Sequence, residues 1–253
     1  MVRTLVIALL SGLLAGCLHL GDPSRPIPVE RFAAKVAATR VVVVLPGRGD
    51  DIAALERAGI VEAVQRAWPD ADVVLAGLAL RHYMQGRAPE RLEAEVLAPL
   101  RADGDRELWL LGASMGAMGA LLHDRAYPGS VDGMVLLAPY LGERALLREI
   151  EDAGGLARWD AGPVPPALDG DNFLRELWRR LQGWQRDPAT ARRAWLAYGD
   201  RDRLRYAIPT FAPLLPPAQV LEVDGGHAWR TWTPAAAELL RRIERDRGDD
   251  TPR

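Results

Sequence analysis

Short runs of apolar residues alternate with longer amphipathic segments along most of the chain. The first run, residues 40–45, is almost entirely valine and leucine, which is typical of a strand buried on both faces. Residues 55–68 instead repeat their apolar positions at helical spacing. Such alternation indicates a parallel sheet with right-handed crossovers. Strands are predicted at residues 40–45, 71–80, 108–111, 131–139, 194–198 and 220–223, and helices at residues 55–68, 90–100, 115–122, about 208–215 and 234–245.

One long segment, residues 142–192, does not continue this alternation. It contains a Gly-Gly pair, a cluster of prolines and one helical stretch near residues 173–184. An insertion of this kind between two core strands predicts a helical cap. The cap includes Trp159, Trp178 and Trp184. These rings either face a bound acyl group or bury the cap against the sheet, and the sequence leaves both alternatives open.

The first residues form a separate signal. An apolar run at residues 5–16 is short for a transmembrane helix and ends in Leu-Ala-Gly-Cys at residues 14–17, with the only cysteine of the chain. That string resembles the bacterial lipobox, so we expect residues 1–17 to be a lipoprotein signal, with Cys17 lipidated and anchored in a membrane. Leu18 favours the outer membrane, facing the periplasm, and residues 18–39 are predicted to be a tether. The alternatives are a buried cysteine or an ordinary cleaved signal.

Composition and charge exclude some partners and cofactors. Thirty-four acidic residues against 32 basic residues give a net charge of −2, so no nucleic-acid partner is expected. The histidines and the cysteine are not clustered at metal-ligand spacing, so we expect no metal and no organic cofactor. The apolar fraction of 49% suits one globular domain, placed at residues 40–253, and nothing in the pattern indicates an oligomeric state.

The candidate chemistry lies where one predicted strand passes into a helix. Residues 112–116 are Gly-Ala-Ser-Met-Gly, and a Gly-x-Ser-x-Gly sequence in that position is a nucleophile elbow. The turn is so tight that only small residues two before and two after the serine avoid a clash. It would expose the Ser114 hydroxyl and direct the Met115 N–H toward a developing oxyanion. The alternative is a glycine-rich turn that only connects strand and helix.

A serine hydroxyl needs a base to accept its proton, and four histidines compete for that role. His19 lies in the predicted tether, and His123 lies more than two turns along the elbow helix, too far to fold back onto Ser114. His82 precedes the serine in the chain. His227 follows the last predicted strand in a glycine-rich loop, from which an imidazole can reach over the carboxyl edge of the sheet, so His227 is preferred.

The residue that orients the base is less sharply defined. Asp200 and Asp202 both follow a predicted strand, and their spacing alone does not separate them. Asp224 is too close in sequence to His227 to reach it easily from the same loop.

Four segments resemble motifs of the α/β-hydrolase superfamily, most closely those of its poorly characterised bacterial esterase-like members. The resemblance spans about residues 40–240 and implies an α/β-hydrolase fold with flanking helices and a cap. In relatives with Gly-x-x-Asp after the penultimate strand, that aspartate is the triad acid, which corresponds to Asp202 and leaves Asp200 second. The first two strands of the full fold have little room in residues 21–39, so a mostly parallel sheet of about six strands is expected. The segments are residues 109–116, Leu-Leu-Ala-Pro-Tyr-Leu-Gly at 136–142, Gly-x-x-Asp-Arg at 199–203 and Gly-Gly-His-x-Trp at 225–229.

Two loops are expected to complete the site. The loop after the first core strand is glycine-rich, and hydrolases of this kind place a second oxyanion donor there, so we nominate the backbone around Gly47 and Arg48. A phosphate-binding loop is the alternative, but the third glycine and the lysine are missing. His82 and Tyr83 lie at the end of the second strand, where they either line the substrate pocket or pack within the loop.

The expected function is therefore a serine hydrolase acting on carboxylic esters through an acyl-enzyme, with Ser114, His227 and Asp202 as its triad and a small acyl ester as substrate. Three alternatives use the same fold. A serine peptidase or amidase would share the triad, and an acyltransferase would add a site that excludes water. The third is a non-catalytic envelope lipoprotein that keeps the fold as a binding platform.

Overall fold

The computed structural model describes residues 21–249. The predicted lipoprotein signal at residues 1–17, with its lipidated Cys17, therefore lies outside the described residues, and so does His19. Within residues 21–249, no helix combines the length and apolar character needed to cross a bilayer.

A seven-stranded sheet forms the centre of the molecule. The strands are numbered along the chain, from β1 at Val29–Phe32 to β7 at Val220–Val223, and they lie in the order β1-β3-β2-β4-β5-β6-β7 across the sheet. β1 is antiparallel to β3, and the other strands are parallel to their neighbours. Almost every residue of the central strands is buried, because helices cover both faces of the sheet. The strands are β1 Val29–Phe32, β2 Arg40–Leu45, β3 Ala71–Ala76, β4 Glu107–Ala113, β5 Gly133–Leu137, β6 Ala194–Gly199 and β7 Val220–Val223.

Two apolar cores lie on opposite faces of the sheet. In one core, the helices of residues 52–67 and 229–249 pack against the sheet. In the other, the helices of residues 88–92, 115–126 and 142–192 do so. The π-helical turn Glu93–Leu97 joins α4 to α5. The helices are α1 Ile52–Arg57, α2 Ile60–Ala67, α3 Leu80–Met84, α4 Ala88–Leu92, α5 Ala98–Ala102, α6 Met115–Ala126, α7 Arg144–Asp152, α8 Phe173–Trp184, α9 Pro188–Ala191, α10 Ile208–Phe211 and α11 Trp229–Asp249.

The sequence predicted a tether in the segment before β2, but the structure shows that part of this segment is a strand. Val29–Phe32 pairs with β3 as an edge strand, which raises the strand count from the expected six to seven. Ile27 is buried, and its N–H donates to the Glu95 carboxylate at 2.7 Å. The segment lacks a hydrophobic alternation because β1 is largely exposed, so its pairing left no pattern to detect.

Three predicted elements have different bounds in the structure. Gly59, at a φ of +67°, divides the predicted helix 55–68 into α1 and α2. The chain at residues 80–84 forms the short helix α3 rather than the end of a strand and a loop. The last helix begins at Trp229 instead of Pro234, so that Pro234 lies inside the helix, in its second turn.

Residues 142–192, which we call the cap, contain α7, α8 and α9 joined by long irregular segments. Trp159, Trp178 and Trp184 are all buried, with at most 3% of their surface exposed, and they contribute to the core beneath the cap. The alternative in which these rings anchor the cap is therefore the one that the structure shows.

Two reciprocal ion pairs join the cap to α6. Arg180 on α8 donates to Asp124 on α6 at 2.9 Å, and Arg125 on α6 donates to Glu176 on α8 at 3.1 Å. Both carboxylates are at most 2% exposed. Because each buried carboxylate needs its guanidinium partner, these pairs fix the position of α8 on α6.

Candidate active site

The turn from β4 into α6 places Ser114 in a strained backbone conformation, with φ at 54° and ψ at −110°. Its N–H donates to Leu137 O at 2.8 Å, and its carbonyl accepts from Tyr140 N–H at 3.1 Å, so β5 and the following loop hold the turn. A Cβ on Gly112 would overlap the backbone of Gly116. The glycines of the motif are thus required by the close approach of the chain on both sides of the serine.

The parallel register brings the ends of several strands to the edge where Ser114 lies. Leu45 pairs with Gly112, Gly112 with Leu136, and Gly199 with Val223. The loops that follow β2, β5, β6 and β7 consequently start from one edge of the sheet. This edge is where open α/β sheets form their binding sites.

His227, in the loop after β7, reaches Ser114. Its Nε2 lies 2.9 Å from the serine Oγ, and the imidazole side chain is 8% exposed. Trp232 packs edge-on against the imidazole, with ring centroids 4.6 Å apart. Trp229 Nε1–H donates to Asp50 at 2.9 Å, which connects the histidine loop to the loop after β2. The imidazole is therefore held from two sides.

The loop after β6 supplies the third member. Both carboxylate oxygens of Asp202 face His227 Nδ1, at 2.8 and 2.9 Å, and one of them also accepts the Leu204 N–H. A carboxylate only accepts hydrogen bonds, so Nδ1 carries the proton and the Nε2 lone pair faces the Ser114 hydroxyl.

The other two carboxylates considered from sequence have separate partners. Asp200 accepts the Gly225 N–H at 2.9 Å, and Asp224 pairs with Arg201. The structure therefore brings Ser114, His227 and Asp202 together and leaves Asp200 outside.

The nominated oxyanion donors occupy two loops next to the serine. Met115 is the first residue of α6, so its N–H has no acceptor within the helix. Arg48 and Met115 line the same cavity as Ser114. Gly47 lies in the turn just before Arg48, where its carbonyl accepts the Asp50 N–H at 3.2 Å. Asp51 caps α1 by accepting the Ala54 N–H.

A cavity of ≈ 680 Å³ opens at Ser114. Tyr83 lines it, whereas His82 does not. The His82 side chain turns inward instead, with 2% of the residue exposed, and its Nδ1 accepts the Ala79 N–H at 3.1 Å. Burial lowers the pKa of His82, which keeps this imidazole neutral. The sequence left open whether His82 and Tyr83 line the pocket or pack within the loop. In the structure Tyr83 belongs to the cavity lining and His82 packs inward, because α3 points successive side chains in different directions.

Sequence reasoning missed most of the cavity wall. The missed residues come from α3, from α6, from the loop after β5, from the start of α7, from the segment at the start of α8 and from the loop after β6, which are far apart in the chain. Each segment contributes at most three residues, and only Tyr140 and Arg203 fall within a motif that the sequence singled out. They are Leu80, Met84, Met118, Tyr140, Glu143, Arg144, Gly170, Asp171, Phe173, Arg203, Leu204 and Tyr206.

No group of three or more His, Cys, Asp or Glu side chains suited to a metal ion occurs within residues 21–249.

Comparison with known proteins gives structural but not sequence relatives. No family model matches the chain, and no curated protein sequence matches it. Est1E from Butyrivibrio proteoclasticus superposes with a TM-score of 0.61 at 14% identity, covering 91% of this chain and 98% of that one. The fluorophosphonate-binding serine hydrolase FphF of Staphylococcus aureus gives a TM-score of 0.56 at 13% identity, covering 85% and 98%.

A third structure is described by name as an alpha/beta hydrolase. This is MGS-MChE2, from the metagenome of sediments of the Mar Chica lagoon in Morocco, with a TM-score of 0.54 at 16% identity, covering 88% of this chain and 100% of that one. Together with the mostly parallel sheet, these similarities establish that the chain has the α/β-hydrolase fold.

Proposed function

We propose that this protein is a serine hydrolase that cleaves carboxylic esters. The observation that carries the proposal is the continuous contact from Asp202 through His227 to Ser114, at 2.8 Å and 2.9 Å. That geometry is the one in which a histidine can take the proton of an attacking serine hydroxyl. The structural neighbours support the choice of ester chemistry, since they include a ferulic acid esterase and the serine hydrolase FphF.

In the proposed reaction, the Ser114 oxygen attacks the ester carbonyl while His227 Nε2 accepts its proton. Asp202 keeps the proton on Nδ1 and stabilises the imidazolium that forms. The Met115 N–H and a donor at Gly47 or Arg48 bind the tetrahedral oxyanion, and each such donor contributes about 3 kcal/mol of transition-state stabilisation. The imidazolium then protonates the leaving alcohol. Water, deprotonated by His227, releases the acid from the acyl-enzyme.

The decisive experiment compares two serines. Purified protein should hydrolyse 4-nitrophenyl butyrate and label with a fluorophosphonate probe, and Ser114→Ala should lose both properties. Ser130→Ala is the matched control, because the Ser130 hydroxyl only donates to Tyr127 O in a surface turn. Matched butyrate esters and anilides separate an esterase from an amidase. If Ser114→Ala keeps the rate of the parent protein, the assignment is wrong and a binding role becomes the better description.

We also propose that Cys17 carries lipid and anchors the enzyme to the outer membrane on its periplasmic side. The support is the Leu-Ala-Gly-Cys sequence at residues 14–17 and the leucine that follows it. Expression in a bacterium fed a clickable fatty acid should label the parent protein and leave Cys17→Ala unlabelled. Equal labelling of the two proteins would exclude the lipid anchor.

A further inference from the structure

The cavity at Ser114 has a mixed lining. Its apolar side chains include Leu80, Met84, Met118 and Phe173. The lining also contains three arginines, Arg48, Arg144 and Arg203. A ligand that fills the cavity therefore meets both hydrocarbon and guanidinium groups.

Arg144 is held in place by a platform. Its guanidinium stacks on the ring of Tyr206 at 4.1 Å from the centroid, and the Tyr206 hydroxyl donates to Gly142 O at 2.9 Å. Stacking occupies a face of the guanidinium plane and leaves the N–H groups at its edge available. Arg144 and Arg203 also line an adjoining cavity of ≈ 600 Å³, to which Arg205 contributes. The two cavities thus share Arg144, Arg203 and Tyr206 as lining residues.

The three arginines of the cavity have no anionic partner. Within residues 21–249, none of the side chains of Arg48, Arg144 and Arg203 forms an ion pair or a hydrogen bond, although ion pairs are frequent elsewhere in the chain. The lining of the cavity also includes the carboxylates of Glu143 and Asp171.

The Glu143 carboxylate already accepts the Tyr140 hydroxyl at 2.6 Å, and burial is the main cause that raises the pKa of Tyr140, so that hydroxyl stays protonated. Three arginines against two carboxylates therefore leave the lining of this cavity with a net positive charge.

We propose, on the basis of the proposed esterase function, that the preferred substrate is an amphiphilic ester with an apolar part and an oxyanion group, carboxylate or phosphate. The oxyanion binds Arg144, because a planar guanidinium donates two parallel hydrogen bonds to such a group. Arg203 and Arg48 add positive charge to the same cavity. The apolar part lies against Met118 and Phe173, with the ester carbonyl at Ser114.

The test uses pairs of esters that differ only in charge. In the first pair, 4-nitrophenyl hemisuccinate carries the charge on the acyl half, and 4-nitrophenyl butyrate is its neutral counterpart. In the second, 3-carboxyphenyl butyrate carries it on the alcohol half, and 3-carbamoylphenyl butyrate is neutral. We expect kcat/KM to be about tenfold higher for the charged member of at least one pair. Competitive inhibition by benzoate and by phenyl phosphate then distinguishes carboxylate from phosphate.

Variants identify the residue responsible. Arg144→Ala and Arg144→Gln should reduce the charged-to-neutral ratio of kcat/KM toward one, mainly through KM. Arg148→Ala is the matched control, since Arg148 is an exposed arginine of the same helix that lines neither cavity, and it should leave the ratio unchanged.

The inference is overturned if both pairs show equal or lower rates for the charged ester, or if the ratio survives in Arg144→Ala. Ser114-dependent hydrolysis without any charge preference would overturn this inference and leave the proposed esterase standing. Hydrolysis that persists in Ser114→Ala would instead remove the proposed function itself.

Discussion

The carboxyl edge of the sheet and the cap contribute to the same cavity in different ways. At the edge, the backbone decides the geometry: the strained Ser114, the small residues beside it and the buried Asp202 leave little freedom. In the cap, long side chains determine the geometry. Arg125 and Arg180 form the ion pairs that hold α8 on α6, and Arg144 lines the cavity. We therefore expect substitutions at the edge to affect catalysis and substitutions in the cap to affect stability or selectivity.

The largest effect is expected from Asp202→Asn. An asparagine amide can donate to His227 Nδ1, which places the imidazole proton on Nε2, facing Ser114, where it cannot accept the serine proton. We expect kcat to fall about ten-thousand-fold with little change in folding.

Asp200→Asn is the control for this prediction. The asparagine oxygen can still accept the Gly225 N–H, so kcat should stay within about threefold of the parent value. Equal losses in the two variants, measured with 4-nitrophenyl butyrate, would contradict the assignment of Asp202.

A glycine from each region gives the next largest effect. A Cβ on Gly116 would lie 2.7 Å from Pro46 O and would overlap the carbonyl of Leu45, so β2 must move to admit it. Gly116→Ala should cost about 3 kcal/mol of unfolding free energy and reduce kcat sharply.

In the cap, Gly183 lies within α8 and a Cβ there meets nothing within 4 Å. Gly183→Ala should therefore raise the unfolding free energy by about 0.5–1 kcal/mol. Urea denaturation followed by tryptophan fluorescence measures both changes. If the two substitutions change the unfolding free energy in the same direction, the contrast between edge and cap is wrong.

Two carboxylates of unequal burial test how the cap is held. Asp124 is 1% exposed and faces both Arg180 and Arg193, so Asp124→Asn should lower the unfolding free energy by about 3 kcal/mol.

Glu149 is 44% exposed, and hydrogen bonds from Arg175 and Trp159 lower its pKa to about 2. Because water screens this exposed pair, Glu149→Gln should cost less than about 1 kcal/mol. A larger decrease in unfolding free energy for Glu149→Gln than for Asp124→Asn would show that the exposed contact stabilises the cap more than the buried one does.

The edge was predictable from sequence because its chemistry is local. The five-residue motif Gly-x-Ser-x-Gly identifies Ser114 by itself. His227 is identified by its position in a glycine-rich loop after the last strand. Asp202 needed a resemblance to known proteins, since Asp200 follows the same strand and spacing alone does not separate the two carboxylates. The structure separates the two by the direction of their side chains, which a sequence does not record.

The cap and the cavity wall were not predictable to the same degree. Arg144 meets Tyr206 only because α7 packs near the loop after β6, and that contact joins positions 62 residues apart. Trp229 and Asp50 likewise meet across most of the chain. His82 and Tyr83 could not be told apart from sequence, because residues 80–84 form a helix too short to leave a periodic pattern.

The smallest effect concerns pH and the helix that links the two regions. His123 on α6 is fully buried, its Nε2–H donates to Glu93 at 2.9 Å, and burial lowers the pKa of the imidazole. The unfolded chain therefore binds a proton more readily than the native one, so stability falls as the pH drops through the ordinary histidine pKa of about 6.5. Burial lowers the pKa of His82 as well, and the loss has the same sign.

Urea midpoints between pH 8 and pH 5.5 should decrease for the parent protein and decrease less for His123→Gln, whose amide can still donate to Glu93. The double variant with His82→Gln should flatten the profile further. An unchanged slope in both variants would mean that groups at the edge or in the cap, rather than these buried imidazoles, set the acid sensitivity of the fold.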